Sequence, residues 1–193
     1  MVGRKLEFDR EEALEKAMDL FWSKGYNSTG LNDLLKHMGI QRQSLYNTFG
    51  SKHALFLEAV QHYGQTVVSC IEQQLNQPGS PLENIRNLIR GLASEAICPK
   101  YRGCMMANTM MELAPHDPAV AKMVQCLTGQ VDKALERTLE RAVAAQELPR
   151  AANPRQLARF LHHVILGFNV RGKIHPSCSY LDDILEVALS VLE

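Results

Sequence analysis

The stretch from Leu31 to Lys52, LNDLLKHMGIQRQSLYNTFGSK, limits what this chain can fold into more than any other. Leu31, Leu34, Leu35 and Met38 fall at i, i+3, i+4 and i+7, one apolar stripe on a short helix. Thr29 is placed to cap the first turn of that helix. Gly39 ends it, because glycine takes the left-handed conformation at low cost. Ile40 is the apolar plug of the corner. A second helix is predicted from Arg42 to Phe49, with only Leu45 and Phe49 directed inward. Arg42, Gln43, Ser44, Tyr46, Asn47 and Thr48 occupy its other sides. Helix, glycine turn, helix is the pattern of a helix-turn-helix unit.

Such a unit has the dimensions to read duplex DNA. An α-helix fits the major groove, and side chains near its N-terminus meet base edges. Arg42 suits guanine and Gln43 suits adenine through paired hydrogen bonds. Tyr46 and Lys52 are expected on phosphates, and Thr29, Ser44 and Asn47 complete the expected DNA-facing set. Ser51 caps the next helix, whose first amides can hold a further phosphate. The chain carries 21 basic and 21 acidic residues, a net charge of zero, which weighs against a nonspecific polyanion binder. A local patch of Arg4, Lys5, Arg42 and Lys52 is enough for a specific one.

The rest of the 193 residues reads as all-helical. Asp9 with Glu12 resembles a capping box ahead of a first helix, Arg10 to Lys24. Trp22 on that helix reads as packing. A long fourth helix runs from Ser51 to about Asn76, with Leu55, Phe56 and Ala59 toward the first three helices and Val67, Val68, Ile71 and Leu75 toward the second domain. Gln77-Pro78-Gly79-Ser80-Pro81 breaks the chain. A fifth helix spans about Leu82 to Ile97, and a short sixth, CMMANTMMELA, begins at Cys104 and is ended by Pro115. Asp117 and Pro118 open a seventh, about Ala119 to Ala145. The eighth opens at Asn153 and Pro154, and its middle, Phe160 to Val170, is apolar enough to be buried on all sides. The last covers about Leu181 to Leu192. No apolar run is long enough to span a bilayer, and the N-terminus lacks the apolar core of a signal peptide, so a cytoplasmic protein is expected. Five widely spaced cysteines, Cys70, Cys98, Cys104, Cys126 and Cys178, are then reduced thiols and suggest no zinc site.

Gly25 and Tyr26 after an apolar helix, the segment Leu31 to Gly39, and SLYNTFGSKHALF from Ser44 to Phe56 resemble the TetR family of one-component transcriptional repressors, of the AcrR-like kind. One departure is Gln41, where family members often carry Ser or Thr as the cap of the recognition helix. The resemblance implies an all-α fold with a three-helix DNA-binding domain over residues 1–52 and an effector-binding and dimerisation domain over 53–193. It implies a homodimer, paired through about 154–192, on a palindromic operator of double-stranded DNA. It implies release by a small molecule, and no cofactor.

Cys104 stands out in the second domain. It comes directly after Gly103 and begins a helix, where the dipole lowers a thiol's pKa. Arg102 and Lys100 add positive charge, and Cys98 is a candidate resolving thiol. The segment GCMMANTMMELAPHDP resembles a TetR branch with a cysteine here, which implies sensing of oxidants or electrophiles. Met105, Asn108, Met111, His163, Phe168 and Lys173 are expected beside Cys104 in an effector pocket. Three other readings remain open. Met105, Met106, Met110 and Met111 with His116, His162 or His163 can hold copper(I). Cys104 with a histidine can form a nucleophilic pair, although the chain has no nucleophile elbow and no phosphate loop. A helical interaction protein is the third, against which stand the outward Arg42, Gln43, Tyr46 and Asn47.

Overall fold

The structure, a computed structural model, describes residues 8–193, so Arg4 and Lys5 lie outside the described residues. Helix α1 spans Arg10–Lys24, α2 Leu31–Met38, α3 Arg42–Phe49, α4 Lys52–Leu75 and α5 Pro81–Glu95. Then come α6 Met105–Glu112, α7 Pro118–Ala144, α8 Pro154–Arg171, a 3-10 turn Gly172–Ile174, and α9 Cys178–Ser190. Among the described residues there is no strand, and no helix is long and apolar enough to cross a membrane.

The caps explain most of the boundaries. The Asp9 carboxylate accepts from the N–H of Glu11 at 2.8 Å and of Glu12 at 3.1 Å. The expected capping box is a simple cap, because the Glu12 carboxylate pairs with Lys16 at 2.6 Å instead. Ser51, Asp117 and Asn153 cap α4, α7 and α8. Helix α9 begins three residues earlier than expected, because the Ser177 hydroxyl accepts from the Tyr180 N–H at 3.3 Å. Gly39 ends α2 at φ 71°. Thr29 does not cap α2. Gly30 holds the cap position without a side-chain bond, while Thr29 is fully buried and its hydroxyl donates back to the Gly25 carbonyl. That bond braces the α1–α2 loop.

Two cores share α4. Its first half gives Leu55, Phe56, Ala59 and Val60 to the core under α1, α2 and α3, with Ala17, Phe21, Leu34, Leu45 and Phe49. Its second half gives Val68, Ile71 and Leu75 to the core of α5, α7 and α8. The first core also takes Met105 and Leu113 from the α6 region and Val120 and Val124 from α7, so these elements press directly on the helix-turn-helix unit. A Cβ at Gly64 would lie 2.5 Å from the Leu127 side chain, which shows how closely α4 and α7 approach.

Helix α8 is not buried on all sides in a single chain. Ala158, Leu161, His162, Ile165 and Phe168 face the core. Phe160 and Val170 are 43% and 47% exposed, with His163 and Gly167 open between them. Tyr180, Ile184, Val187 and Val191 lie open on α9 at spacings of four and three, and Ile174 joins them from the turn. Phe160 of α8 and Val191 of α9 line one cleft, so the open apolar faces of the two helices meet there. Monomeric surfaces seldom leave such a patch uncovered.

On α3 the Thr48 hydroxyl is buried with no partner among the described residues. Thr48→Val therefore removes no hydrogen bond and relieves an unmet desolvation cost. Its thermal midpoint is expected to equal or exceed the parent's; a marked fall in a melting experiment would contradict this environment.

Candidate functional site

Helix α3 presents a polar face. Arg42, Gln43, Tyr46 and Asn47 are exposed and Ser44 is half-buried, while Leu45 and Phe49 hold the helix to the core. Arg42 Nη2 donates to Asn32 Oδ1 at 3.2 Å, and Gln43 Nε2 donates to Asn47 Oδ1 at 2.9 Å. These bonds keep both long side chains laid out along the surface. Gln41 makes no capping bond, so side chains leave the first amides of α3 uncapped. Lys52 is more committed than the sequence suggests. Its Nζ donates to the Tyr26 carbonyl at 2.7 Å and lies 4.1 Å from the Tyr26 ring centroid. Burial pulls its ammonium below the ordinary lysine range, with Glu112 opposing. Thr29, buried beneath this surface, offers DNA no side-chain atom.

The second site is a cavity of about 430 Å³ between α1, α4, the loop before α6, α7 and α8. Val67, Ile71, Val131, Ile165 and Leu166 form its apolar walls, and Trp22, Tyr63 and Tyr101 its aromatic ones. Burial pushes the Tyr63 phenol well up and the Tyr101 phenol up to about 12, so both hydroxyls keep their protons. Tyr101 donates to Asn169 Oδ1. Trp22 belongs to the wall as well as to packing. Its indole N–H donates to the Gly103 carbonyl at 2.9 Å, and its ring stands 5.0 Å from that of Tyr63.

Of the residues expected in the effector pocket, this cavity holds Cys104, at the N-cap of α6. Met105 sits in the first core. Asn108, Met111 and Lys173 lie at a separate, more polar cleft between α6 and α1, where Lys173 Nζ donates to Asn108 Oδ1 at 3.0 Å. Phe168 is 2% exposed in the second core. His163 lies on the open face of α8; its neighbour His162 lines the cavity instead. One residue of phase on a helix separates these two outcomes, and periodicity alone does not choose between them. Tyr63 is also missed by the sequence, although its i, i+4 spacing from Val67, already placed toward the second domain, is a usable signal.

The expected low thiol pKa at Cys104 is also corrected. The thiol is 8% exposed, and burial pushes it up; the amides of Ala107 and Met106 and the Tyr63 hydroxyl oppose this without prevailing. Of the two nearby cations, Arg102 is engaged elsewhere and Lys100 is exposed to solvent. Arg102 pairs with Asp19 at 2.7 Å and stacks 4.0 Å from the Trp22 ring centroid. Among the described residues His162 bonds to Asp132 and not to Cys104. Iodoacetamide is expected to label Cys70, Cys98, Cys126 and Cys178, all exposed, well before Cys104 at neutral pH, with Cys104 labelling rising as pH climbs past the ordinary thiol range. Mass mapping checks this; Cys104 labelled first at neutral pH contradicts it. The linked stability has the matching sign. The folded chain holds this proton more tightly, so stability falls as pH rises above the unfolded thiol's value.

The methionines do not converge as a copper site would require. Met105 is in the first core, Met106 in the cavity wall, and Met110 and Met111 are exposed.

Helix α6 ties the cavity to the DNA-reading unit. Cys104 and Met106 at its start line the cavity. Glu112 at its end accepts from the N–H of Tyr26 at 3.1 Å and of Asn27 at 2.8 Å, in the α1–α2 loop. Gly25, at φ 80°, has the Glu112 carboxylate 2.8 Å from where a Cβ would sit, so this clamp depends on glycine. At the start of α7, Asp117 Oδ2 lies 2.6 Å from His53 Nε2 on α4.

An outward reading helix on a three-helix unit, joined through α4 and α6 to a helical domain with an interior cavity, defines a helix-turn-helix regulator. Residues 13–59 match the family of bacterial regulatory proteins, tetR family, and residues 81–188 match the tetracyclin repressor-like C-terminal domain. The chain is 35% identical to the uncharacterized HTH-type transcriptional regulator YezE of Bacillus subtilis (strain 168), over all of both chains. It is 29% identical to the HTH-type transcriptional repressor ComR of Escherichia coli (strain K12), across 98% of this chain and 90% of that one. A cysteine mutant of the TetR family regulator CifR, complexed with 26 bp double-strand operator DNA, superposes with a TM-score of 0.84 at 30% identity, covering 97% of this chain and 98% of that one. The chain belongs to the TetR family and is an HTH-type transcriptional regulator.

Proposed function

We propose that the protein is a cytoplasmic homodimeric repressor, acting by binding rather than catalysis, which holds a palindromic operator and leaves it when a small molecule fills the cavity. The observation that carries this is the Glu112 clamp. One short helix has its first turn in the cavity wall and its last residue bonded to two amides of the α1–α2 loop. A ligand that displaces Cys104 and Met106 must move Glu112, and with it the unit that orients α3. In a dimer this changes the separation of two reading heads, which must match a spacing of about 34–36 Å. Arg42 and Gln43 read bases, Tyr46, Asn47 and Ser44 position the backbone, and Lys52 meets a phosphate from its seat on Tyr26. Residues 1–52 and 53–193 serve as the DNA-binding and effector domains.

Affinity for a selected operator, measured across a salt series, is expected to fall linearly on logarithmic axes and to exceed that for scrambled duplex at every salt. Equal affinity for both duplexes overturns the proposal. Glu112→Ala is expected to keep operator binding but to need roughly tenfold more ligand for release, a coupling within the usual range of about 1–3 kcal/mol. Unchanged release would place the coupling elsewhere.

A second reading is favoured by the thiol in the cavity wall: an electrophile or oxidant that fits the cavity meets Cys104 there. Cys104→Ser is expected to repress normally and lose only the response to such reagents. An unchanged response removes that reading and leaves noncovalent release intact.

A further inference from the structure

The cavity wall includes a histidine that neither the Glu112 clamp nor Cys104 engages. His162 is 6% exposed, its Nδ1 lies 2.6 Å from Asp132 Oδ1, and its ring forms part of the cavity wall. A carboxylate only accepts, so this contact places a proton on Nδ1. In the neutral ring Nε2 is then an acceptor. Among the described residues it has no hydrogen-bond partner. Nε2 is therefore open to accept from a donor that a ligand brings into the cavity.

The surroundings narrow the donor's chemistry. Several of the other polar side chains of the wall are already occupied. Thr128 donates to the Val124 carbonyl, Tyr101 donates to Asn169, and Arg102 is held by Asp19. Lys100 and Glu95, of opposite sign, both line the cavity and are exposed, so they favour neither sign of charge. The Asp132 carboxylate behind the ring disfavours an anion at Nε2. The remaining wall is aliphatic with three aromatic rings, from Trp22, Tyr63 and Tyr101, and flat rings pack well edge-on or offset against these. A volume of about 430 Å³ suits a single substituted ring, within the usual range of small-molecule pockets.

We propose that the Asp132–His162 pair is the polar anchor of this cavity and that its ligand class is the small neutral phenols, whose O–H donates to His162 Nε2 while the ring packs among Trp22, Tyr63 and Tyr101. The assignment builds on the effector-cavity reading, and it gives that site a chemistry beyond its apolar shape. A site that satisfies a ligand O–H discriminates strongly against the analogue that lacks it.

Trp22 is the single tryptophan of the chain and lies in the cavity wall, so its emission reports occupancy. Full-length protein is titrated with 4-ethylphenol and with 4-ethylanisole, which keeps the ring and loses the donor, followed by Trp22 fluorescence and calorimetry. The phenol is expected to bind at least tenfold more tightly than its methyl ether. His162→Phe, similar in bulk, is expected to erase that preference while leaving the ether's affinity unchanged. Asp132→Asn, outside the wall itself, is expected to weaken the preference, because the carboxylate no longer dictates which nitrogen carries the proton. Circular dichroism and a melting curve confirm that both variants fold; if His162→Phe does not, Asp132→Asn alone decides. Equal binding of the two probes, or a preference that survives substitution of the pair, overturns the anchor. Operator release is measured in parallel. Phenol-selective binding without release supports the anchor and overturns the effector reading, whereas release by both probes alike supports the effector reading and overturns the anchor.

Discussion

With Ile184 and Val187 both replaced by glutamate, the protein is expected to be a folded monomer that no longer holds its operator. Ile184 is 36% and Val187 67% exposed in the single chain, on the α9 stripe that meets the open face of α8. Leu181 and Ala188, which hold α9 to the core, are untouched. Helix content should therefore persist. Closing two such faces together would bury the new carboxylates without partners, at several kcal/mol each. The dimer is expected to weaken by about a thousandfold or more, which at working concentrations leaves monomer. One reading head engages only half of a two-fold site, so operator affinity falls by a comparable factor. Sedimentation and fluorescence anisotropy check both effects. A variant that remains dimeric would move the interface away from α8 and α9.

The reading helix gives the second large effect, and the residues expected on DNA should divide into two classes. Arg42→Ala and Gln43→Ala each remove a side chain suited to paired bonds with a purine, worth about 1–3 kcal/mol of discrimination. Affinity for the operator should fall roughly tenfold to a hundredfold, with tolerance of substitutions at the contacted base pair. Both side chains must first leave Asn32 and Asn47, surface bonds that exchange readily for bonds to DNA. Tyr46→Ala and Lys52→Ala should weaken binding to all sequences alike, and Lys52→Ala should also lower the salt slope by about one. Lys52→Ala carries a stability cost besides, since Nζ holds the Tyr26 carbonyl. Binding scans against single-base operator variants separate the classes. If all four variants match the parent, α3 is not the reading helix.

The elements are legible in the sequence because their signals are local. The bounds of α1 and α3, and the core positions Leu34, Met38, Leu45 and Phe49, come from helical period, caps and Gly39. So does the division of α4 between two cores. The cavity is much less legible, because its wall gathers α1, α4, α7 and α8, far apart in the chain. Trp22 meets Gly103 through a contact that no window of sequence contains. Sequence puts Cys104 at the right helix start with the wrong electrostatics. The dipole argument is local, whereas the burial that outweighs it comes from the surrounding helices. His163 and His162 show the same limit at its smallest scale, since a helix with two apolar faces gives no phase to choose by. Reading α8 as buried on all sides overstates it for a single chain, whose open face is the one expected to pair with a second copy.

Selection of bound duplexes from a randomised DNA pool, with the stoichiometry of the winning complex measured, tests most directly whether α3 reads DNA twice per assembly. The expected result is a palindrome whose half-sites are about one helical turn apart, or a multiple of it, bound by paired chains, and lost with Arg42→Ala/Gln43→Ala. Enrichment of no common motif, or of an asymmetric one held by a single chain, would contradict it.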